Sequence, residues 1–328
     1  MAYHLKACEP VPGEIRRIVR EELESAADRL SGQSERNRDE AIHEARKSVK
    51  KIRAILRLVR PELGEVYGVE NVGLRDLGRK LSDFRDAGAI LETFGNLQEK
   101  YRAELGRLTL GPVRRQLLRE KKEHARTANI GPVLARTAVA LRRAADRVKA
   151  WPLNQDGFNA IGAGFERMYR QGRKGLARAK KNPTDENCHE WRKAVKYHWY
   201  HIRLLERLWT DALEDYEKGL KNLETWLGDD HNLVVLRGRI QANPAAYGSA
   251  KTTGLALRLI RGYQQELRSD SLSLGGRVFA EKPEHFRHHM RGVWDASTSK
   301  PRISKKQQKQ IQSAESVRPV TDSTAPKP

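Results

Sequence analysis

The sequence contains two copies of one pattern, separated by 146 residues. The segment DEAIHEARKSVK at 39–50 aligns without a gap with DENCHEWRKAVK at 185–196, and eight of the twelve positions are identical. The same offset brings Arg57 into register with Arg203. Units of roughly 145 residues are too long for solenoid repeats. The spacing therefore predicts an internal duplication of one fold, with its two units related by a pseudo-twofold axis.

Each copy lies in a segment with the periodicity of an amphipathic helix. In residues 39–60 the apolar side chains cover an arc of about 140° when successive residues are placed about 100° apart. Asp39 and Glu40 suit the first turn of a helix, and Pro61 suits its end. A separate arc of about 120° is basic and contains no acid. We call its residues the first stripe (His43, Arg46, Lys47, Lys50, Arg53 and Arg57) and, in the other copy, the second stripe (His189, Arg192, Lys193, Lys196 and Arg203).

Such a stripe could be an ordinary solvated face, or it could bind an anionic ligand. A solvated face usually mixes both charges so that i,i+4 ion pairs form, and it tolerates Lys, Arg, Glu or Gln equally well. Here His, Arg, Lys and Lys are identical in both copies, whereas the apolar positions vary, for example from Ile42 to Cys188. Binding is therefore the favoured interpretation. The stripes are not equivalent, since Trp199 stands opposite Arg53.

The net charge points to the same class of ligand. The chain has 63 Lys plus Arg against 42 Asp plus Glu, a formal charge of +21. Residues 298–328 hold seven basic and two acidic residues and so contribute only +5 of this charge. The remaining +16 belongs to the part with helical periodicity. A charge of this sign implies an anionic partner, such as nucleic acid, polyphosphate, a sulfated glycan or an acidic membrane.

The cysteines and the N-terminal sequence indicate a cytoplasmic protein. Cys8 and Cys188 are the two cysteines of the chain, and Cys188 aligns with Ile42 on the apolar face, as a small buried hydrophobe would. The first residues, MAYHLKACEPVPGEIRR, lack the apolar core of a signal peptide, and no stretch approaches 18 uncharged apolar residues. We expect neither export nor a membrane partner.

The rest of the chain is also helical in pattern. Prolines separate segments of helical periodicity, and strand-like alternation is scarce. We predict an all-α protein of two pseudo-symmetric antiparallel helical bundles, with units at 1–150 and 151–297 and a disordered basic tail at 298–328. The predicted helices are 13–31, 39–60, 65–104, 111–127, 133–150, 155–181, 185–211, 213–241, 250–270 and 277–294.

The sequence offers little to suggest catalysis. It has no phosphate-binding G-x-x-x-x-G-K-[ST] loop, and IGAGFERM lacks the third glycine of a dinucleotide fingerprint. HEARK and HEWRK lack the second histidine of a zinc-protease motif. HFRHH at 285–289 offers three histidines that could bind a soft metal, but a polar or phosphate-facing surface role is favoured over a metal site. We therefore expect a binding protein with no metal and no cofactor, and not an enzyme.

The residues resemble one known family, the conserved histidine α-helical domain, or CHAD. H-x-x-R-K-x-x-K occurs twice, each time on a long helix. LSDFRDAGAIL at 81–91 and LGDDHNLVVL at 227–236 are similar to the family's L-G-x-x-R-D-x-D-V-L segment. MYRQGRKGLARA at 168–179 and LGGRVFAEKPEHFRHHMRGVW at 274–294 resemble two further segments of the family. The resemblance spans nearly all of residues 1–297.

The resemblance implies a fold and a ligand. The fold is all-α, with two pseudo-symmetric bundles whose basic faces meet in a central cavity. The ligand is inorganic polyphosphate, and association with polyphosphate granules is implied as well. The E-x-E-x-K signature of the triphosphate-tunnel domain, to which some members are fused, is absent from this sequence. The chain looks like a stand-alone member.

Polyphosphate also suits the stripes on chemical grounds. It carries about one charge per phosphate and no bases, so it needs a continuous track of cations; arginines supply bidentate donors and lysines supply mobile charges. Arg170, Arg173 and Lys174 precede the second stripe and could extend the track, and divalent cations could accompany the ligand. The alternative is a nucleic-acid-binding protein, which would add aromatic residues for base stacking. Trp191 maps to the apolar face and is expected to pack, whereas the role of Trp199 stays open.

Overall fold

The computed structural model describes residues 3–6, 9–32, 38–81, 86–105, 109–127, 130–206, 208 and 213–298. Within these ranges every regular element is a helix, which confirms the predicted all-α class. The α-helices are α1 (Val11–Leu30), α2 (Arg38–Leu58), α3 (Arg60–Leu63), α4 (Glu65–Lys80), α5 (Asp86–Lys100), α6 (Arg102–Leu105), α7 (Gly111–Thr127), α8 (Gly131–Arg147), α9 (Gly157–Lys181), α10 (Asp185–Leu204), α11 (Glu214–Ala242), α12 (Pro244–Tyr247), α13 (Ala250–Val278) and α14 (Pro283–Thr298). A short 3₁₀ helix, Val148–Ala150, follows α8. Residues 299–328, most of the predicted tail, lie outside the described residues.

The two histidine-bearing helices begin where the sequence predicts. The Thr184 side chain accepts a hydrogen bond from the Asn187 backbone N–H at 3.2 Å and caps α10. Asp39 and Glu40 lie in the first turn of α2, next to the positive end of its dipole. Helix α2 ends at Leu58, ahead of the proline in α3. Helix α10 ends at Leu204, which is shorter than the predicted 185–211.

The predicted single helix at 65–104 is wrong, since α4 ends at Lys80 and the chain changes hydrophobic core between α4 and α5. Leu74 of α4 belongs to the first core, whereas Phe94 and Leu97 of α5 belong to the second. Helix α11 passes between the same two cores without interruption, with Leu220 in the first and Leu236 in the second. LGDDHNLVVL at 227–236 is therefore part of a continuous helix, which agrees with the predicted helix at 213–241.

The predicted boundary between 250–270 and 277–294 is also wrong. Helix α13 continues to Val278, through a stretch that is rich in serine and glycine. Ser271 is fully buried, and a Cβ at Gly275 would lie 2.6 Å from Trp191 Cζ2. The small residues here make room for Trp191 and do not end the helix.

The two cores do not divide the chain at residue 150. The first core combines α1, α2, α4 and α8 with α9, α10, the start of α11 and α14. The second core combines α5 and α7 with the end of α11, α12 and α13. Both halves of the chain therefore contribute to each core. The packing of α1 on α2 has its counterpart in that of α9 on α10. The internal duplication and the unit boundary at residue 150 both stay predictions.

Helix α9 crosses α2 at a glycine, and this close approach fixes the position of α2 against the second half of the chain. A Cβ at Gly164 would overlap the carbonyl group of Leu58, and Arg167, one turn further on, donates to the Arg57 carbonyl at 2.5 Å. Only a residue without a side chain allows the two backbones to come so near.

We predict that Gly164→Ala lowers the free energy of unfolding by at least about 2 kcal/mol, because overpacking outweighs the gain of up to about 1 kcal/mol in helix propensity. Thermal unfolding checks this. Gly238→Ala is the matched control, since it lies in α11 with nothing within 4 Å of its Cβ position, and it should leave the protein equally or more stable. A Gly164→Ala melting curve like that of the control would contradict the account.

Candidate functional site

The stripes of α2 and α10 come together where these two helices pack. His201 Nε2 of α10 donates to the Ala54 carbonyl of α2 at 2.8 Å. The groups whose charge acts most strongly on Lys50 are Lys196, Arg46, Arg192 and the carboxylate of Glu224. Lys50 and Lys196 occupy equivalent positions of the two sequence copies. We call Arg46, Lys50, Arg192 and Lys196 the inner cluster.

The inner cluster concentrates positive charge in a poorly solvated place. Burial, followed by repulsion from Lys196, Arg46 and Arg192, lowers the pKa of Lys50 from 10.5 to about 7. Burial also lowers the pKa of Lys196, although Glu224 acts in the opposite direction. Burial and the charges of neighbouring arginines therefore disfavour the charged form of both lysines. The central cavity that the family resemblance implies stays a prediction.

Glu224 is the carboxylate beside this cluster. It lies on α11 at 7% exposure, accepts a hydrogen bond from Lys196 Nζ, and lies 3.8 Å from Arg192 Nη2. Burial by itself would raise the pKa of Glu224, but Lys196, Arg192 and Lys221 lower it to about 2. The carboxylate is therefore ionised at neutral pH.

The lysine at the outer edge of each stripe, unlike the inner cluster, is exposed and lies beside a carboxylate of its own helix. Lys47 lies 3.4 Å from Glu44, and Lys193 lies 2.5 Å from Glu190, in both cases one turn earlier on the same helix. The side chains of Lys47 and Lys193 are 42% and 48% exposed. The acid-free arc is thus narrower in the structure than on the helical wheel, because these two lysines reach carboxylates just outside it.

The C-terminal ends of the stripes are held by neighbouring side chains. Arg53 and Arg57 both donate to Asn71 Oδ1 of α4, at 3.2 and 3.1 Å. The Arg57 guanidinium also lies 4.0 Å from the centre of the Tyr197 ring, which is a cation–π contact between α2 and α10. Burial lowers the pKa of Arg53. Contacts with α4 therefore hold both arginines in place, and Arg57 is also held by α10.

Trp199 is buried and does not present its ring to solvent. It is 8% exposed, and its indole N–H donates to Glu217 at 2.6 Å. Lys221 lies 4.7 Å and Arg203 lies 5.3 Å from the centre of its ring. Trp199 therefore has a packing role and is not an exposed ring for base stacking, because both its ring and its N–H have partners within the protein.

The two histidines of the motif occupy different surroundings. His43 Nε2 lies 3.6 Å from Glu44. The His189 ring lies 4.1 Å from the His231 ring of α11, and its Nδ1 is buried with no hydrogen-bond partner among the described residues. Burial, together with the charges of Lys193 and Arg192, lowers the pKa of His189. In the free protein His189 is therefore biased towards the neutral form, and an anion beside it would raise its pKa.

Three predicted site residues lie on α9. Arg170 pairs with Glu166, which Arg287 of α14 also contacts. Arg173 donates to the backbone carbonyls of Ala280 and Glu281, just before α14, and Lys174 is exposed. The contacts of Arg170 and Arg173 tie α9 to α14 and its preceding turn. An extension of the track by these three residues stays a prediction.

Trp191 and Cys188 are buried, as the sequence predicts. His198 and His201 of α10 are buried as well, and burial lowers the pKa of both histidines. The three histidines of HFRHH are exposed on α14, and the described part of the chain contains no group of three or more potential metal ligands. Among the described helices, none combines the length and apolar character needed to cross a membrane.

The structure adds residues that the sequence did not single out. Asn71 and Tyr197 position arginines of the first stripe, and Glu224 pairs with the second. Asp229 and Asp230, in one of the segments that resemble the family, contact other helices: Thr93 donates to Asp229, and Arg268 pairs with Asp230. The equivalent segment, 81–91, lies partly outside the described residues.

Comparisons with known proteins agree with this architecture. No curated protein matches the chain. The crystal structure of the CHAD domain from the plant Ricinus communis superposes with a TM-score of 0.58 at 20% sequence identity, covering 85% of this chain and 95% of that one. At this identity the likeness concerns the fold. The family model described as "CHAD domain" matches residues 17–241, which include both stripes and more than half of the sequence. With its two H-x-x-R-K-x-x-K helices packed together in an all-α fold, the chain belongs to the CHAD domain family.

Proposed function

We propose that this protein binds inorganic polyphosphate without chemical conversion, through the two basic stripes where α2 and α10 pack together. The observation that carries the proposal is the inner cluster, in which cations of α2 and α10 lie close enough together for burial and their mutual repulsion to lower the pKa of Lys50. Strongly perturbed pKa values of this kind cluster at functional sites, and a polyanion would relieve the repulsion. The residues assigned to this role are those of the first and second stripes.

The arrangement suits an extended polyanion better than a small one. Arg53 and Arg57 lie at one end of the first stripe, the inner cluster lies in the middle, and Lys47 and Lys193 lie at the outer edges. A chain of linked phosphates can contact all these groups at once, and its second contact benefits from the effective concentration that the first creates. Divalent cations could bridge the remaining phosphate charges. Location at cytoplasmic polyphosphate granules would follow from such binding.

Nucleic acid is the alternative ligand, because a protein with a net charge of +21 would also attract RNA or DNA. Proteins that bind single-stranded nucleic acid without sequence preference stack the bases on exposed aromatic rings. Trp199, the aromatic residue that the sequence left open for this role, is buried under Lys221 and Arg203. The stripes themselves are suited to phosphates and not to bases, which favours polyphosphate.

Competition between the two ligands tests the proposal. Labelled long-chain polyphosphate is bound to the full chain at about 0.15 M salt, where non-specific phosphate contacts are already weakened. It is then challenged with single-stranded RNA or duplex DNA at equal phosphate concentration. We expect unlabelled polyphosphate to displace the label at least about tenfold more effectively than either nucleic acid. Equal displacement by RNA would show a general polyanion surface and would overturn the proposal.

Release of orthophosphate is measured in parallel, to test the non-catalytic part of the proposal. Long-chain polyphosphate incubated with the protein should yield no more orthophosphate than a buffer control, because the described residues of the site offer cations and not the clustered carboxylates that a metal-assisted hydrolase needs. Release that His43→Ala and His189→Ala abolish would instead identify a phosphohydrolase.

A further inference from the structure

Glu224 is the point at which the two halves of the site differ most. In the alignment of the two copies, the 146-residue offset pairs Gly78 with Glu224, just as it pairs Leu77 with Leu223. Gly78 faces α2, where a Cβ would lie 3.4 Å from the side chain of Val49. Glu224 faces α10 and pairs with Lys196. One stripe therefore has a carboxylate built in beside it, and the other has none at the equivalent position.

The Glu224 carboxylate occupies a place that a phosphate would suit. One of its oxygens accepts a hydrogen bond from Lys196 and lies 3.8 Å from Arg192, and the other lies 3.4 Å from Lys221. These contacts are the charge-assisted kind that lysine and arginine make with phosphate oxygens. A polyanion that reaches the second stripe must compete with this carboxylate for the same donors.

Arg192 shows that the internal pairing is incomplete. Its guanidinium lies over α11, 3.5 Å from the position that a Cβ at Gly228 would occupy. Its Nε is buried with no hydrogen-bond partner among the described residues, and its nearest carboxylate oxygen is 3.8 Å away. A partly satisfied arginine is available to a stronger acceptor, and the phosphate of a bound chain would be one.

Resting on the polyphosphate-binding function proposed above, we infer that Glu224 is a built-in competing anion that sets the affinity and the ligand preference of the site. At the position equivalent to Glu224 the first half of the site has Gly78, so a ligand meets no counterpart of the Glu224 carboxylate there. The second stripe engages only ligands whose negative charge is dense enough to replace Glu224. Directly linked phosphates meet this requirement better than the phosphates of RNA, which are spaced apart by ribose.

Glu224→Gln tests the inference, because glutamine keeps the shape and an acceptor oxygen but removes the charge. We expect polyphosphate affinity to rise about tenfold and RNA affinity to rise by a larger factor, so that the preference for polyphosphate narrows. Without ligand, the melting temperature should fall, because Lys196 and Arg192 lose their counter-charge. Glu190→Gln is the control: Glu190 pairs with Lys193 at the exposed outer edge, and its neutralisation should change both affinities by less than about twofold.

Gly78→Glu provides the reciprocal test in the first half of the site. A side chain fits there at ordinary van der Waals distance from Val49, and glutamate favours a helix more than glycine does. We expect it to weaken polyphosphate binding about tenfold without lowering the melting temperature. Unchanged polyphosphate affinity in both Glu224→Gln and Gly78→Glu, alongside tight binding by the wild type, would overturn the inference. Failure of the wild type to bind polyphosphate would instead overturn the proposed function.

Discussion

Replacing Lys50 with methionine should make the protein more stable and its polyphosphate binding weaker. Methionine fills a similar volume and has no charge to desolvate. The pKa of Lys50 is about 7 in the folded protein, against 10.5 for an ordinary lysine. At about 1.4 kcal/mol per pKa unit, the wild type carries a penalty on the order of 4 kcal/mol at neutral pH, most of which the variant should recover. Chemical unfolding at pH 7 measures the difference in the free energy of unfolding.

The pH dependence of stability distinguishes this explanation from a simple gain in hydrophobic packing. Because the folded-state pKa of Lys50 is depressed, the unfolded protein binds the additional proton between about pH 7 and pH 10.5. Wild-type stability should therefore rise with pH in that window, as the penalty for a charged Lys50 is relieved. The Lys50→Met variant lacks this rise, so the two curves should converge towards pH 10. A constant difference at all pH values would indicate packing alone.

The same change should lower polyphosphate affinity about tenfold at pH 7, because one charge-assisted contact is lost from the centre of the track. Lys47→Met is the matched control for stability. Lys47 lies on the same helix but is 42% exposed and pairs with Glu44, so its removal should change the free energy of unfolding by less than about 1 kcal/mol. A Lys50→Met variant that binds as well as the wild type would show that the inner cluster does not contact the ligand.

The helices that carry the stripes could be predicted from sequence because periodicity, caps and a proline all agree there. The placement of Trp191 and Cys188 in the core follows from the same apolar arc. Agreement fails where tertiary packing overrides local pattern. The pattern at 65–104 does not reveal that the chain changes core near Leu81, and the small residues of α13 mark a close approach to Trp191 and not a helix end.

The sequence predicted the basic residues of the two stripes, but not the side chains of other helices that contact them. Identity between the two copies identified the cations, since each lies on a regular helix whose faces follow from spacing. Their partners come from other helices: Asn71 from α4, Tyr197 from the opposing helix and Glu224 from α11. Spacing along one helix carries no information about these contacts. The Glu224–Gly78 difference was visible in the aligned copies, but its meaning depends on which face of α11 packs against α10.

Charge reversal at Arg46 should abolish most polyphosphate binding while the fold survives. Arg46 belongs to the inner cluster, and its charge is among those that most strongly lower the pKa of Lys50. In Arg46→Glu an attractive contact with phosphate is replaced by repulsion, for which we expect an affinity loss on the order of 100-fold at about 0.15 M salt. The new carboxylate would also lie near Lys50 and reduce the repulsion there, so the variant should still fold. Binding and thermal unfolding of the same preparation measure both effects.

The equivalent reversal in the second half should behave differently, because Glu224 is already present there. Arg192→Glu would bring a second carboxylate next to that of Glu224, which is 7% exposed, and we expect a lower melting temperature together with weaker binding. Arg192→Gln avoids the like-charge contact and isolates the loss of one donor. Arg261→Glu, on the exposed face of α13, controls for the change in net charge and should leave affinity within about threefold of the wild type. If Arg46→Glu retained wild-type affinity with an unchanged melting curve, the first stripe would not be the binding surface, and the positive charge buried between α2 and α10 would require another explanation.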